Sequence, residues 1–277
     1  EGPNHKPEKT PVGLALKPSF GARSRGMTGF EELLFLARRY LGILLAALPW
    51  LLGGILFQSV VLPWMVKIRS SVGATGKALL PIVSRAFHPL LLASLFVAFR
   101  QQPALPLYFL VYTTLAVLLL WFLAWVMGLK AGDRKELGAS EMIGFDGVSQ
   151  RLIQISYDHG VVLVFGAFLA AALLSLVGQT NLDSLIYPAT LIAYIVGALG
   201  SIPPAAAGPV ALSLLPVGQP SLTIAYLLGT TLGSYKVVLF LVRRNGIVKA
   251  AIVAGILLVV SVLLSSPVSW STLELLS

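Results

Sequence analysis

Long apolar runs, separated by short polar stretches, make up most of the chain. Most of these runs are near the ~20 residues that a helix needs to cross a bilayer. They are Tyr40–Leu62, Leu79–Phe99, Leu105–Met127, Gly160–Val177, Leu185–Leu199, Leu222–Val242 and Ile247–Leu264. The pattern predicts an all-α polytopic integral membrane protein with about 7–8 membrane elements, one of them a half-helix at Gly208–Val217. A β-barrel is not expected, because its strands would alternate in hydrophobicity over ~10 residues.

One apolar stretch, Gly200–Gly218, cannot form a single continuous helix. It contains the prolines Pro203, Pro204, Pro209 and Pro216, each of which lacks a backbone N–H and clashes with the preceding turn. In a bilayer the peptide groups so freed must bond to protein or water, and a broken apolar segment is typical of a transporter's binding region. The alternative is a kinked, tightly packed helix pair in which Ala and Gly permit close approach.

Part of this pattern recurs when the sequence is shifted by 117 positions. Three stretches match at or near this offset: Gln102-Pro103 with Gln219-Pro220, Thr113-Thr114 with Thr230-Thr231, and Pro81–Pro89 with Pro203–Pro209. We therefore predict two homologous halves, each with a proline-broken segment between long helices. An odd number of spans in each half makes the two repeats inverted, which is a transporter-like arrangement.

These repeats divide the chain into five parts. They are a polar basic N-terminal tail with an interfacial helix (1–39), membrane repeat one (40–127), a polar connecting loop with an amphipathic helix (128–158), membrane repeat two (159–264) and a C-terminal tail (265–277). The interfacial helix is predicted at Phe30–Arg39 and the loop helix at Gly147–Tyr157, both on the bilayer surface. Asp158-His159 is predicted to cap the following span.

Composition agrees with a membrane protein and excludes several classes of function. Hydrophobic residues make up 57% and charged residues 11% of the chain, against about a quarter charged in soluble proteins, and the mean hydropathy is +0.88. The net charge of +9 lies largely at membrane edges, which favours lipid headgroups over nucleic acid as partners. The absence of cysteine excludes disulfides and thiolate metal sites. We expect no cofactor.

Motifs of catalytic sites are also missing from the sequence. It contains no phosphate-binding loop, no His/Glu pair spaced for a metal and no nucleophile elbow. We therefore expect no enzyme activity. The expected location is a multi-pass position in a plasma membrane or in an organellar inner or thylakoid-type membrane.

Ionisable residues at membrane depth are the main candidates for a site, because burying an unpaired charge there costs at least about 2.5–3.5 kcal/mol. Arg85 and His88 lie in the first broken segment; the alternative is an interfacial loop before a span that starts at Pro89. For Lys236, snorkelling to the membrane surface is the favoured explanation. The substrate-binding residues expected where the broken segments meet are Ser84, Arg85, His88, Ser201, Pro203, Gly208 and Lys236.

The second broken segment resembles a known family. The sequence G-P-V-A-L-S-L-L-P-V-G (Gly208–Gly218), followed by Gln219-Pro220-Ser221 and by Gly229-Thr230-Thr231, is similar to the predicted permeases that include the organoarsenical efflux permeases. The resemblance, over roughly 41–264, implies two repeats with broken helices and a central pathway. Family members usually carry cysteines in the broken segment, where this chain has Ser84 and Ala205–Ala207. Metalloid binding by thiolates is therefore not implied.

Two functions of different classes follow from these observations. The first is a permease for a small solute, for which Arg85, His88 and Lys236 favour an anion over a cation. The second is a permease-like subunit that does not transport and instead serves a larger membrane complex. In that reading the N-terminal tail contacts other membrane subunits.

Overall fold

The computed structural model describes residues 29–68, 79, 82–129, 145–179, 186–215 and 220–268. Within these residues the chain is helical and has no β-strands. The helices are α1 (Gly29–Ile68), α2 (82–86), α3 (Pro89–Ala98), α4 (Ala104–Val126), α5 (Phe145–Gln179), α6 (Ile186–Gly200), α7 (Pro204–Leu214), α8 (Pro220–Thr231), α9 (Tyr235–Asn245) and α10 (Ile247–Ser265). The all-α prediction is confirmed for this part of the chain.

Five helical stretches among the described residues are long and apolar enough to cross a membrane. They are Gly29–Phe57, Ala104–Val126, Leu152–Leu176, Pro220–Asn245 and Ile247–Ser265. Large apolar side chains such as Leu118, Trp121 and Trp125 are exposed on the outside of the bundle, where lipid would cover them. These are the helices of a membrane protein, and the shorter apolar helices Ile82–Ala98, Tyr187–Gly200 and Pro204–Leu214 pack with them.

Both predicted surface helices are continuous with the spans that follow them. Phe30–Arg39 is the first part of α1, and Gly147–Tyr157 lies within α5. No proline separates the polar from the apolar part of either helix, so backbone hydrogen bonding continues across the change in polarity. Asp158-His159 consequently lies inside α5, and the prediction that it caps a helix is wrong.

Several predicted segments lie outside the described residues. These are the tail before residue 29, most of the connecting loop, the end of the broken segment at 216–219 and the tail after residue 268.

The predicted span Leu222–Val242 is interrupted near its middle. α8 ends at Thr231 and α9 begins at Tyr235, with 232–234 between them. The N–H groups of Leu232 and Gly233 both donate to the carbonyl of Leu228, at 2.8 and 3.3 Å, which closes α8. This interruption contains no proline. We call 201–203, between α6 and α7, the first break and 232–234, between α8 and α9, the second break.

The centre of the bundle is the tightly packed helix pair α6 and α8. A β-carbon on Gly197 would overlap the carbonyl oxygen of Tyr226, and one on Gly229 would overlap the carbonyl oxygen of Tyr194. The contact is reciprocal, since each helix places a glycine against the other's backbone. The most apolar part of Pro220–Asn245 is 72% buried, against 22–44% in the other four long stretches, so α8 is the central helix among them.

A second internal repeat underlies this reciprocal contact. The motif P-x-x-x-I-A-Y-x-x-G runs from Pro188 to Gly197 in α6 and from Pro220 to Gly229 in α8. Leu-Gly-Ser follows in both copies, ending at Ser201 and at Ser234. The two breaks therefore follow the same repeated helix sequence, with one additional residue before Leu-Gly-Ser in the second copy.

The two Gln-Pro sequences of the 117-residue repeat lie at the starts of helices. Pro103 is the N-cap of α4 and Pro220 is the first residue of α8, and Thr113 and Thr230 follow within these helices. This placement agrees with the predicted equivalence of the two halves. Their superposition stays a prediction.

Candidate functional site

The proline-broken segment between α6 and α7 is enclosed by three other helices. Its close contacts are Ala205 with Gly54 of α1, Ile202 with Gly166 of α5 and Gly208 with Ser94 of α3. The N–H of Gly208 also donates to Ser94 Oγ at 3.3 Å. Every residue from 200 to 211 is buried, so the irregular backbone faces protein, as a break inside a bilayer requires.

Ser201 forms the turn at which α6 ends. Its φ is +43°, a left-handed conformation that costs about 1–2 kcal/mol in a residue with a β-carbon. The hydroxyl of Ser201 offsets this cost by two bonds, one with Ser234 Oγ and one from Arg85. Ser234 precedes α9 but does not cap it with its side chain; its hydroxyl is instead bonded to that of Ser201. The two serines thus join the two breaks.

Arg85, from α2, binds the same two breaks. Its Nη2 donates to the carbonyl and the Oγ of Ser201, at 2.8 and 2.9 Å, and to the carbonyl of Ile202 at 3.1 Å. Its Nε donates to the carbonyl of Thr230 at 3.0 Å. These oxygens lie at the carboxyl ends of α6 and α8, where helix dipoles are negative and a cation is stabilised. Arg85 thus binds carbonyl groups at both breaks.

Arg85 belongs to a group of four basic side chains, the basic cluster, which consists of Arg85, His88, His159 and Lys236. Arg85 interacts electrostatically with the other three, and His159 also interacts with His88 and Lys236. Asp158 is a carboxylate that attracts His159 and Lys236. The cluster joins α2, the start of α3, α5 and α9. The electrostatic interaction between Arg85 and Lys236 is repulsive, and an anion bound near both would relieve the repulsion.

The other residues predicted from the sequence lie at different distances from this cluster. His88 caps α3, where its Nδ1 accepts the N–H of Leu90 at 3.3 Å. Ser84 is half-buried beside Arg85, and Pro203 is the N-cap of α7. Gly208 packs on the α3 side of the break, against Ser94 rather than against the predicted segment 81–89. Lys236 is exposed in the first turn of α9, just after the second break.

Three residues of this site were not predicted from the sequence. They are His159, which looked like part of a helix cap, Thr230, which acts through its backbone carbonyl, and Ser234. A signal for Ser234 was present, since Gly233-Ser234 repeats the Gly200-Ser201 of the first break. No side-chain pattern could have identified Thr230, because any residue at that position offers a carbonyl.

Buried hydroxyl groups are numerous in α8 and in the helices around it. Four of them have no hydrogen-bond partner among the described residues: Thr113, Thr223, Tyr226 and Thr230. An unsatisfied hydroxyl in an apolar interior costs roughly 1–3 kcal/mol. Such groups are therefore ready to bond to water or to a polar solute that enters the bundle.

An apolar groove of about 760 Å³ lies apart from these polar groups, between α1 and α5. Its lining residues are Tyr40, Ser156, Tyr157, Gly160, Val161, Val164, Phe165 and Phe168. Side chains of this kind suit a lipid acyl chain better than a polar solute, so the groove is not the proposed site.

Comparison with known proteins adds no family to this geometry. No family model matches the sequence, no similar chain is found among curated proteins, and no solved structure is similar. The resemblance to the permease family therefore stays a prediction from the residues.

Proposed function

We propose that the chain is a permease for small anionic solutes and that the basic cluster binds the solute. The observation that carries this proposal is the position of Arg85 between two broken helices, where it interacts electrostatically with His88, His159 and Lys236. Ionisable residues at membrane depth mark solute pathways by default. Neighbouring helices that are each interrupted are typical of transporter binding sites.

Helix packing supports the inverted repeats and the 7–8 membrane elements that this proposal includes. The 117-residue offset pairs α1 with α5, the α2–α3 segment with α7 and α4 with α8. Each of these pairs is in contact: α1 with α5, α3 with α7 and α4 with α8. Elements related by a twofold axis meet in this way when they lie near the axis, and transporters with inverted repeats bind solute there.

In this proposal the described conformation is the closed one, in which no pathway is open to the solute. Glycine contacts hold α1, α3 and α5 against residues 200–208 without room for a β-carbon at Gly54, Gly166 or Gly208. Transport would require α6 and α7 to separate from these helices. The exposed position of Lys236 makes the α9 side of the basic cluster the entrance.

Anion flux into proteoliposomes tests the proposal. The purified full chain is reconstituted, and uptake of chloride, acetate, phosphate and sulfate is compared with uptake of potassium. Lys236→Gln removes a positive charge and His159→Gln removes an imidazole from the cluster, while the carbonyl bonds of Arg85 stay intact. We expect this variant to lower anion uptake at least about tenfold at subsaturating concentration, the equivalent of ~1.4 kcal/mol of binding.

Arg100→Gln is the matched control, because Arg100 is an exposed cation at the turn that follows α3. It should transport like the original chain. Uptake that is absent for all four anions, or that the double variant leaves unchanged, would contradict the proposed site.

The second candidate function is that of a permease-like subunit without transport. The close-packed segment 200–211, buried throughout, favours this alternative, because a solute pathway has to open at some stage. Extraction in a mild detergent followed by native electrophoresis separates the two functions. Migration in a large assembly together with absent anion uptake supports the subunit, whereas anion uptake by the chain alone supports the permease.

A further inference from the structure

We propose that the oxygen atoms around Arg85 form a monovalent-cation site whose resident occupant is the Arg85 guanidinium itself. This inference rests on the local geometry and is independent of anion transport. The four oxygens are the carbonyls of Ser201, Ile202 and Thr230 and the hydroxyl of Ser201. All four belong to neutral groups, so helix dipoles and hydroxyl dipoles balance the charge of Arg85.

These oxygens come from the same parts of the backbone that coordinate cations in transporters. In transporters with broken helices, unwound carbonyls and the carboxyl ends of half-helices coordinate sodium ions or protons. Here Ser201 and Ile202 lie in the unwound stretch after α6, and Thr230 lies in the last turn of α8. Oxygen ligands of this type suit hard cations such as Na⁺. The site therefore has the oxygen ligands of a cation site, and the guanidinium of Arg85 supplies the positive charge that a bound cation would supply.

The repeat explains why two helix ends meet at one point. Leu-Gly-Ser closes both copies of the repeated helix, at Ser201 and at Ser234, and the two serine hydroxyls are bonded to each other. Arg85 lies against both carboxyl ends. A free ion at this position could dissociate, whereas a guanidinium attached to α2 stays. The junction of α6 and α8 therefore needs no sodium ion to balance its dipoles.

A neutral residue at position 85 should leave these oxygens open to a free cation. Arg85→Ala removes the guanidinium and leaves a space lined by three carbonyls and one hydroxyl. Na⁺, K⁺ or added guanidinium should then stabilise the variant, because a ligand that binds only the folded state raises the unfolding midpoint. The original chain should not respond, since its site is filled.

Thermal unfolding of the full chain in detergent, followed by tryptophan fluorescence, measures this response. Each variant is scanned in chloride salts of Na⁺, K⁺, guanidinium and choline at constant ionic strength, with guanidinium far below denaturing concentrations. We expect one or more of the small cations to raise the midpoint of Arg85→Ala by about 5 °C over choline, with saturation. The original chain and Arg100→Ala should differ little between the four salts.

Arg85→Lys is a second control, because it keeps a cation attached to α2; like the original chain, it should differ little between the four salts. Recovery of Arg85→Ala only from membranes extracted with a small cation supports the proposal, as does a saturable midpoint shift. Equal midpoints in all four salts overturn it. So does the failure of Arg85→Ala in every salt, whether or not Arg85→Lys is recovered, because a free cation would then be unable to replace the guanidinium.

Discussion

The α-carbon of Gly197 lies directly against the carbonyl oxygen of Tyr226, so that no side chain fits between α6 and α8 at this point. Gly229 has the same relationship to Tyr194. The neighbouring breaks at Ser201 and Ser234 follow one turn later in each helix. The distance between the two helix axes thus fixes the position of the carbonyls that Arg85 binds.

Gly197→Ala should destabilise the protein. The added methyl group would overlap backbone atoms, which cannot rotate away as a side chain can, and overpacking of this kind costs about 1–3 kcal/mol. Gly255→Ala in α10 is the control, because its β-carbon would meet no atom within 4 Å and alanine favours a helix. Thermal unfolding in detergent should show a lower midpoint for Gly197→Ala alone. Equal midpoints would contradict the close contact.

Substitutions at Ser201 should separate backbone strain from side-chain bonding. Ser201→Ala loses the hydroxyl bonds to Arg85 and Ser234, keeps the carbonyl bond to Arg85, and keeps the strained φ of +43°. Ser201→Gly loses the same bonds but relieves the strain, by about 1–2 kcal/mol. The glycine variant should therefore unfold at a higher temperature than the alanine variant. The reverse order would show that this φ is not maintained in the membrane.

Ala206→Leu should sharply reduce the yield of folded protein. Ala206 is fully buried in α7, and α7 packs against α3 and α1, so a larger side chain forces these helices apart. Ala251→Leu, at an exposed position of α10, is the matched control; the adjacent Ala250 is buried and would not serve. Size-exclusion chromatography of extracted membranes measures the yield. Similar recovery of both variants would remove the central role given to this segment.

Water access to the basic cluster can be mapped by cysteine labelling, since the chain has no cysteine of its own. Lys236→Cys should react with a charged, membrane-impermeant thiol reagent, because position 236 is exposed at the proposed entrance. Leu118→Cys should not react, because Leu118 is exposed on the outer face of α4, where lipid excludes the reagent. Labelling of neither position, or of both alike, would argue against an entrance at Lys236.

The apolar runs predicted most of the helices because a spanning helix needs length and hydrophobicity, and both are local properties of the sequence. The break at Pro203 was equally accessible, since proline cannot donate a helical hydrogen bond. The break at 232–234 was missed because Gly and Ser are common in membrane helices. Its cause is tertiary: the hydroxyl of Ser234 and the carbonyl of Thr230 are bound by Ser201 and Arg85.

The residues of the candidate site also divide into those with a local signal in the sequence and those that tertiary packing brings into place. Arg85 was identified because a charge in an apolar region is a local anomaly, whereas its bond to the carbonyl of Thr230 depends on tertiary packing. His159 was misread as part of a cap, since its interactions with Arg85 and Lys236 depend on the packing of α5 beside segments far away in the sequence. The repeat shared by α6 and α8 was visible in the residues. Its two copies lie close together in the sequence, so the offset of 117 residues that aligns the two halves does not reveal it.

The bonds of Arg85 also impose an order on biosynthesis. Its partners Ser201 and Thr230 follow it by 116 and 145 residues, which a ribosome needs roughly 6–30 s to add at about 5–20 residues per second. During this interval the guanidinium has none of the carbonyls that finally neutralise it. α2 can therefore form its full set of bonds only after α8 has been made.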